Sequence, residues 1–364
     1  METLDPVLKS MIDQVDQARA QRTPLAICGG GTKAFYGGPL RGAPLDVTGL
    51  AGISSYEPSE LVVTARAGTR LAELEAALAE RGQCLPFEPP RFSAGGTVGG
   101  MVAAGLSGPS RAAVGSVRDH VLGATLLNGR GEVLTFGGQV SKNVAGYDVS
   151  RLLVGSLGIL GVICEVSLKV LPMLRSSATV CFDWDERRAL EQLNRWAAQP
   201  LSMNASAWHG GQLRVRLAGA VAAVSAACGK LGGTVCGADE AAAWWSSLRD
   251  QTQDFFALSE SDLAGGECLW RLSVAATAPP LTLPGRQFIE WHGAERWWRS
   301  SATPAEVRAA AALAGGHATL IRGADKSAGV FTPLSGALLR IHQGLKQAFD
   351  PAGLFNPGRL YAEL

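Results

Sequence analysis

The sequence has no Cys-x-x-Cys pair, no His-x-x-His or His-Glu-x-x-His pair and no lysine- or arginine-rich run. Its seven cysteines stand apart at 28, 84, 164, 181, 228, 236 and 268. Zinc ribbons and iron–sulfur ligand sets are thereby excluded, and no metal site is expected. An odd number of scattered cysteines reads as reduced, intracellular thiols. A net charge of +1 gives no electrostatic footprint for nucleic acid. The N-terminal segment METLDPVLKSMIDQVDQARAQRTP lacks the apolar centre of a secretion signal, so a cytoplasmic protein is expected. Its Leu4, Val7, Leu8, Met11, Ile12 and Val15 recur at helical spacing instead. Outside one glycine-rich stretch, uncharged runs such as Leu152–Cys164 are too short to span a membrane.

Glycine, by contrast, is abundant, at 45 of 364 residues. Phe92–Ser110 (FSAGGTVGGMVAAGLSGPS) is free of charge and contains Gly95, Gly96, Gly99, Gly100, Gly105 and Gly108. Paired glycines, Pro109 and interspersed Ser and Thr make a poor apolar helix. Taken alone, the stretch fits either a close-packed turn or backbone that approaches a bulky polyanion with its N–H groups. A second cluster, Ala26–Gly38 (AICGGGTKAFYGG), contains a Gly-x-Gly-x-x-Ala match at Gly29, Gly31 and Ala34. A dinucleotide fingerprint of the Rossmann kind needs a helix straight after the glycines. Gly37-Gly38-Pro39 disfavours one here. A strand over Leu25–Cys28, a phosphate-binding turn over Gly29–Lys33 and an irregular exit are expected, with Lys33 adding a cation.

Further along, Leu61–Ala67 reads as a strand and Thr69–Arg81 as a helix closed by Gly82. Val121–Leu127 and Glu132–Phe136 flank Asn-Gly-Arg-Gly, a strong hairpin signal. Val162–Leu171 alternates as a strand after a third glycine-rich corner, Gly155–Gly161. Beyond Pro172 the composition changes, and all nine tryptophans follow. Strands over 178–183, 203–209, 212–217, 267–275, 286–292 and 317–322 are expected, with helices over 185–198, 219–231, 239–252 and 304–314. Trp244-Trp245 and Trp297-Trp298 read as core anchors. The fold class is α+β, with a final helix over Leu338–Phe349.

Three glycine corners at this spacing, with the segments VGSVRDHVLGATLLNGRGEV and KNVAGYDVSRLLVGSLGILGVI and the tail FDPAGLFNPGR, resemble the flavin-binding family of vanillyl-alcohol oxidase and p-cresol methylhydroxylase. Within it, the chain resembles the smaller FAD-binding subunits of bacterial glycolate-oxidising complexes. The resemblance implies a two-subdomain FAD-binding fold plus a smaller α+β cap domain with an antiparallel sheet. Residues 1–172, closed by 335–364, would form the FAD-binding domain, and 173–334 the cap. Gly29, Gly30, Gly31, Thr32 and Lys33 would bind one side of the pyrophosphate. Gly95, Gly96, Thr97, Gly99 and Gly100 would cradle the other side and the ribityl chain. Gly161, Val162 and Ile163 would border the adenine. No histidine adjoins the first corner, so FAD is expected to be non-covalent.

The substrate machinery is less complete. Relatives that oxidise 2-hydroxy acids carry Arg-Lys-x-x-Thr-Gly-Tyr-Asp, whereas this chain reads Ser141-Lys142-Asn143-Val144-Ala145-Gly146-Tyr147-Asp148. Ser141 cannot grip a carboxylate bidentately, and Ala145 cannot donate a hydrogen bond. The catalytic residues are therefore unknown. His209, His317, Arg322 and Lys142 are candidates by type alone. The resemblance implies a sister FAD-containing catalytic subunit, an iron–sulfur subunit, a small 2-hydroxy acid such as glycolate, and attachment at the inner face of the membrane only through the complex. A stand-alone oxidoreductase of another small 2-hydroxy acid and a cofactor-free scaffold subunit are the alternatives.

Overall fold

Alternating apolar residues along Val162–Lys169 build the middle strand of a five-stranded sheet. Its order is Ile53–Glu57, Val62–Arg66, Val162–Lys169, Val121–Leu127 and Val133–Gly137. All of its pairings are antiparallel. The computed structural model describes residues 5–138 and 148–364. The hairpin forms where expected, because Asn128 Oδ1 accepts from the N–H groups of Arg130 (2.9 Å) and Glu132 (3.0 Å). Helix Leu71–Ala79 buries Leu71, Leu74 and Leu78 against one face of the sheet, beside helix Val98–Ala104. Each such leucine contributes about 2–5 kcal/mol relative to alanine.

The other face carries helix Pro6–Gln21. Asp5 caps it by accepting from the N–H groups of Val7 and Leu8. Met11, Val15 and Ala18 pack there with Leu127, Val162 and Cys164. Beside them lies a parallel pair, Leu25–Cys28 with Ala43–Asp46. The C-terminal tail adds to that pair: Leu25 N–H donates to Leu354 O (2.7 Å) and Asn356 N–H donates to Leu25 O (3.0 Å). Residues 354–356 are thereby tied to the strand that precedes the first glycine corner.

An eight-stranded antiparallel sheet occupies the residues between 176 and 322. Its order is Thr234–Val235, Ser176–Asp183, Gln212–Gly219, Met203–His209, Arg286–Glu290, Glu295–Ser300, Cys268–Ser273 and His317–Arg322. Helices Glu186–Ala197 and Val221–Leu231 cover half of its outer face, and Pro304–Leu313 the other half. The inner face meets the N-terminal part through Phe288, Trp297 and Ile321 against Tyr36, Leu106 and Leu157. Trp245, Trp297 and Trp298 are buried, as anchors should be, whereas Trp244 is only half-buried.

The expected strand over 286–292 stops at Glu290, because Trp291 and His292 turn through left-handed backbone (φ 50° and 58°). The chain then returns as Glu295–Ser300, a strand the composition hides. No strand is expected over ERWWRS beyond its Trp297-Trp298 anchors, yet all six residues, Glu295, Arg296 and Arg299 included, are buried. A second departure concerns the thiols: Cys181 and Cys236 are joined by a disulfide, where seven reduced cysteines are expected. Among the described residues, no helix is long and apolar enough to cross a membrane.

Candidate functional site

Strand Leu25–Cys28 stops at Gly29, and residues 29–33 form no regular element. Among the described residues, the N–H groups of Gly29, Gly30, Gly31, Thr32 and Lys33 donate to no protein acceptor. Ala34 N–H closes the turn on Gly31 O (3.0 Å). Gly31 has φ +71°, and a Cβ there would meet nothing within 4 Å. Five consecutive free donors in a glycine turn form an anion-binding concavity.

The second corner packs directly behind the first. A Cβ on Gly30 would fall 1.5 Å from Gly95 O, so only bare backbone fits between them. Arg70 Nη1 fixes Gly95 by donating to the same oxygen (2.7 Å). Thr97 caps helix Val98–Ala104, its Oγ1 accepting from Gly100 N–H (3.2 Å). Gly99 N–H donates to Ala67 O (2.8 Å), and a Cβ on Gly99 would lie 2.6 Å from Ala67 Cβ. Gly99 and Gly100 thus give room rather than donors. The third corner docks on the same helix through Gly155 N–H to Val102 O and Leu157 N–H to Ala103 O.

These corners meet in one open cleft. Gly29 to Lys33, Thr97, Gly99, Gly100, Gly161 and Ile163 line it. Gly95 and Gly96 do not, standing behind Gly30 and Thr32. Val162 also lies off the cleft, its side chain buried in the core beneath helix Pro6–Gln21. The cleft adds residues that glycine spacing does not reveal: Leu40, Val47, Leu157, Asn356 and Arg359. Asn356 is placed by three bonds. Its Oδ1 accepts from Ile27 N–H (2.8 Å), its Nδ2 donates to Leu157 O (2.7 Å), and its own N–H donates to Leu25 O. The tail motif Asn-Pro-Gly-Arg was the available signal for both Asn356 and Arg359.

Two cations overlook the free donors. Burial lowers the Lys33 pKa to about 8, against a weaker opposing pull from Asp250. Arg359 donates to Gly38 O, Ala34 O and Lys33 O, and burial depresses it as well. Neither forms an ion pair among the described residues. Uncompensated buried cations beside five free N–H groups fit a doubly charged pyrophosphate, and the apolar walls fit the rest of a dinucleotide. Cys28 also stands on the cleft wall, its Sγ donating to Ala26 O, and burial raises its pKa, so it rests as the neutral thiol. No histidine lines the cleft.

The candidates for substrate chemistry are dispersed. His209 is held by Gln287 O (2.8 Å) and stacks on Phe288. His317 begins the edge strand of the large sheet opposite Ser273, with burial and Arg271 lowering its pKa. Arg322 ends that strand with its guanidinium 3.9 Å from the Phe35 ring centroid. Lys142, with Ser141, Ala145, Gly146 and Tyr147, lies outside the described residues. Asp148, at the end of that motif, caps helix Val149–Leu152. A narrow cavity between the two parts of the chain, which the sequence did not reveal, is lined by Ser107, Arg249, Arg271, Glu290 and Glu295.

Comparison with known proteins adds four findings. The FAD binding domain family matches residues 9–137. The glycolate oxidase subunit GlcE of Escherichia coli K12 is 47% identical over 356 residues, 98% of each chain. A D-lactate dehydrogenase of Anaerostipes hadrus is 31% identical over 43% of this chain and 32% of its own length. Among solved structures, an alkyldihydroxyacetonephosphate synthase superposes with a TM-score of 0.62 at 14% identity, over 96% of this chain and 74% of that one. That last likeness concerns the fold.

Proposed function

Because the chain belongs to the family of the glycolate oxidase subunit GlcE, we propose that it is the FAD-binding subunit of a complex that oxidises glycolate to glyoxylate. Its cofactor is FAD. The observation that carries the reading is the Gly29–Lys33 turn, with five N–H groups that no protein atom uses, beside Lys33 and Arg359. In this reading the turn holds the pyrophosphate, and Gly99 and Gly100 admit the ribityl chain. Gly161 and Ile163 border the adenine. Residues 1–172 with 335–364 act as the FAD-binding domain, and 173–334 as the cap.

When bound, FAD accepts the two electrons of a carbon–hydrogen bond beside a hydroxyl. The chain's own residues bind and orient it. Asn356 locks the first and third corners together, and Leu40, Val47 and Leu157 exclude water from one side. With no histidine on the cleft and Cys28 held as a thiol, the cofactor stays non-covalent. Ser141 and Ala145 stand where relatives have Arg and Thr. A sister FAD subunit therefore carries most of the substrate chemistry, an iron–sulfur subunit takes the electrons, and any membrane contact is made through the complex.

The test is an absorbance spectrum of the purified chain, followed by anaerobic glycolate. Flavin bands near ~450 nm that persist with glycolate, but bleach once the partner subunits are added, support the assignment. A colourless protein that cannot be reconstituted with FAD overturns it. Rapid bleaching of the isolated chain overturns the division of labour.

A further inference from the structure

Four cations surround the segment Lys33–Gly38, and among the described residues none has a carboxylate partner: Lys33, Arg322, Lys326 and Arg359. Two of them are occupied with backbone. Arg359 donates to Gly38 O and Ala34 O, and Lys326 Nζ donates to Phe35 O and Gly37 O. Lys33 faces the cofactor cleft. Arg322 differs from all three. It donates no side-chain hydrogen bond, and its Nε is buried with no acceptor.

An unpaired, partly desolvated guanidinium is costly unless something anionic completes it. Burial alone depresses Arg322, and no neighbouring acid offsets that. Its repulsive influence reaches Lys326, which Arg359 also repels. The strand that carries Arg322 belongs to the large sheet, whereas its contact, Phe35, follows the glycine turn directly. Phe35 packs edge-on against Phe92 (5.1 Å), and Lys33 Nζ lies 5.6 Å from the Phe92 ring. The two aromatic rings thus separate a cation on the cofactor side from a cation on the cap side. FAD brings charge for the first, and the second still lacks a counterion.

We propose that the Arg322 guanidinium is the receptor for the carboxylate of the small 2-hydroxy acid. It replaces, from the cap side, the grip that Ser141 cannot provide. This rests on the reading of the chain as a glycolate-oxidase subunit. Phe35 supports the guanidinium from 3.9 Å, and Lys326, which both Arg322 and Arg359 repel, adds to the local positive potential. A planar fork with free N–H groups suits a carboxylate bidentately. The other candidates are less suited. His209 is tied to Gln287 O, and His317 stands five residues away at the far end of the same strand.

The full chain loaded with FAD is titrated with glycolate and with oxalate, a non-oxidisable carboxylate, while the flavin absorbance is followed. FAD affinity is measured separately by flavin fluorescence. The variants are Arg322→Met, which keeps an apolar stem over Phe35, and Arg322→Lys. The expected result is carboxylate binding weakened about tenfold or more in Arg322→Met, the scale of one lost charge-assisted contact. Arg322→Lys recovers part of it, and FAD affinity stays within about twofold in both. Unchanged carboxylate affinity overturns the proposal. So does a parallel loss of FAD affinity, which would assign Arg322 to a cofactor phosphate, and so does a wild-type chain that binds FAD but neither acid. A wild-type chain that binds no FAD removes the underlying functional reading instead.

Discussion

Glu290 and Glu295 are directly opposed across an antiparallel hairpin, and both are buried on the inner face of the large sheet. Burial raises the Glu295 pKa to about 8, against the opposing effects of Arg271 and Arg111. Burial and the Glu295 charge push Glu290 up, while Trp297 Nε1 donates to its Oε1 (2.9 Å). Glu88 and Arg216 also act on it, with opposite signs. Two carboxyls so placed share a proton, because both cannot ionise cheaply. The folded chain therefore holds a proton that the unfolded chain releases near the ordinary 4.5. This stabilising contribution is full below that value and is lost as pH rises toward 8. Thermal unfolding should show a falling Tm across that window. Glu295→Gln should flatten the slope and raise Tm at the alkaline end. An unaltered slope in the variant would show that the pair is not the source.

Lys33 gives a second pH dependence, on ligand binding. Its amine titrates near 8 with burial opposed only by the weaker pull of Asp250. Pyrophosphate favours the charged form, so FAD affinity should be highest below that pH and decline above it. Lys33→Met should lower affinity about tenfold at neutral pH and remove the alkaline decline. Fluorescence titrations of FAD at several pH values measure both effects.

Gly30 and Gly31 are neighbours with opposite constraints. Alanine at 30 would drive its Cβ into Gly95 O, so Gly30→Ala should disrupt the packing of the first two corners and yield little folded protein. Alanine at 31 meets open space, but at φ +71° it costs about 1 kcal/mol. Gly31→Ala should fold with a slightly lower Tm and lose FAD affinity, since position 31 lines the cleft. Circular dichroism and FAD titration of the two variants separate these outcomes.

What was legible in the sequence follows from what each residue does locally. The 121–136 hairpin could be read because Asn128 forms its turn with neighbours two and four residues away. The first corner could be read because glycines at a strand end have few other uses. Glu295–Ser300 could not, since its burial depends on partners far along the chain: Arg299 binds Glu267, and Arg296 donates to Ala278 O and Pro279 O. Which side chain of the Val162-Ile163 pair faces the cleft was likewise not legible in the sequence. Alternate residues of one strand face opposite sides, so Ile163 reaches the cleft while Val162 fills the core. The Cys181–Cys236 link joins residues 55 apart, and spacing alone does not encode it.

The tail that completes the cleft hangs on one buried ion pair. Lys346 Nζ donates to Asp350 Oδ2, Ile159 O and Phe355 O, each at 2.8 Å. Asp350 in turn accepts from the N–H groups of Leu354 (3.0 Å) and Phe355 (2.8 Å). Lys346→Met leaves a buried carboxylate without its cation, a change that typically costs about 3–5 kcal/mol. Asp350→Asn keeps one acceptor and should cost less. Both variants loosen residues 354–359, which bring Asn356 and Arg359 to the cleft, so FAD affinity should fall in the same order as stability. Urea unfolding without and with saturating FAD measures the two together. Because ligand that binds only the folded chain adds stability that grows with the logarithm of its concentration over Kd, the gain at one FAD concentration should be smallest for Lys346→Met. An equal gain in all three proteins would mean that the tail does not contribute to the cofactor site.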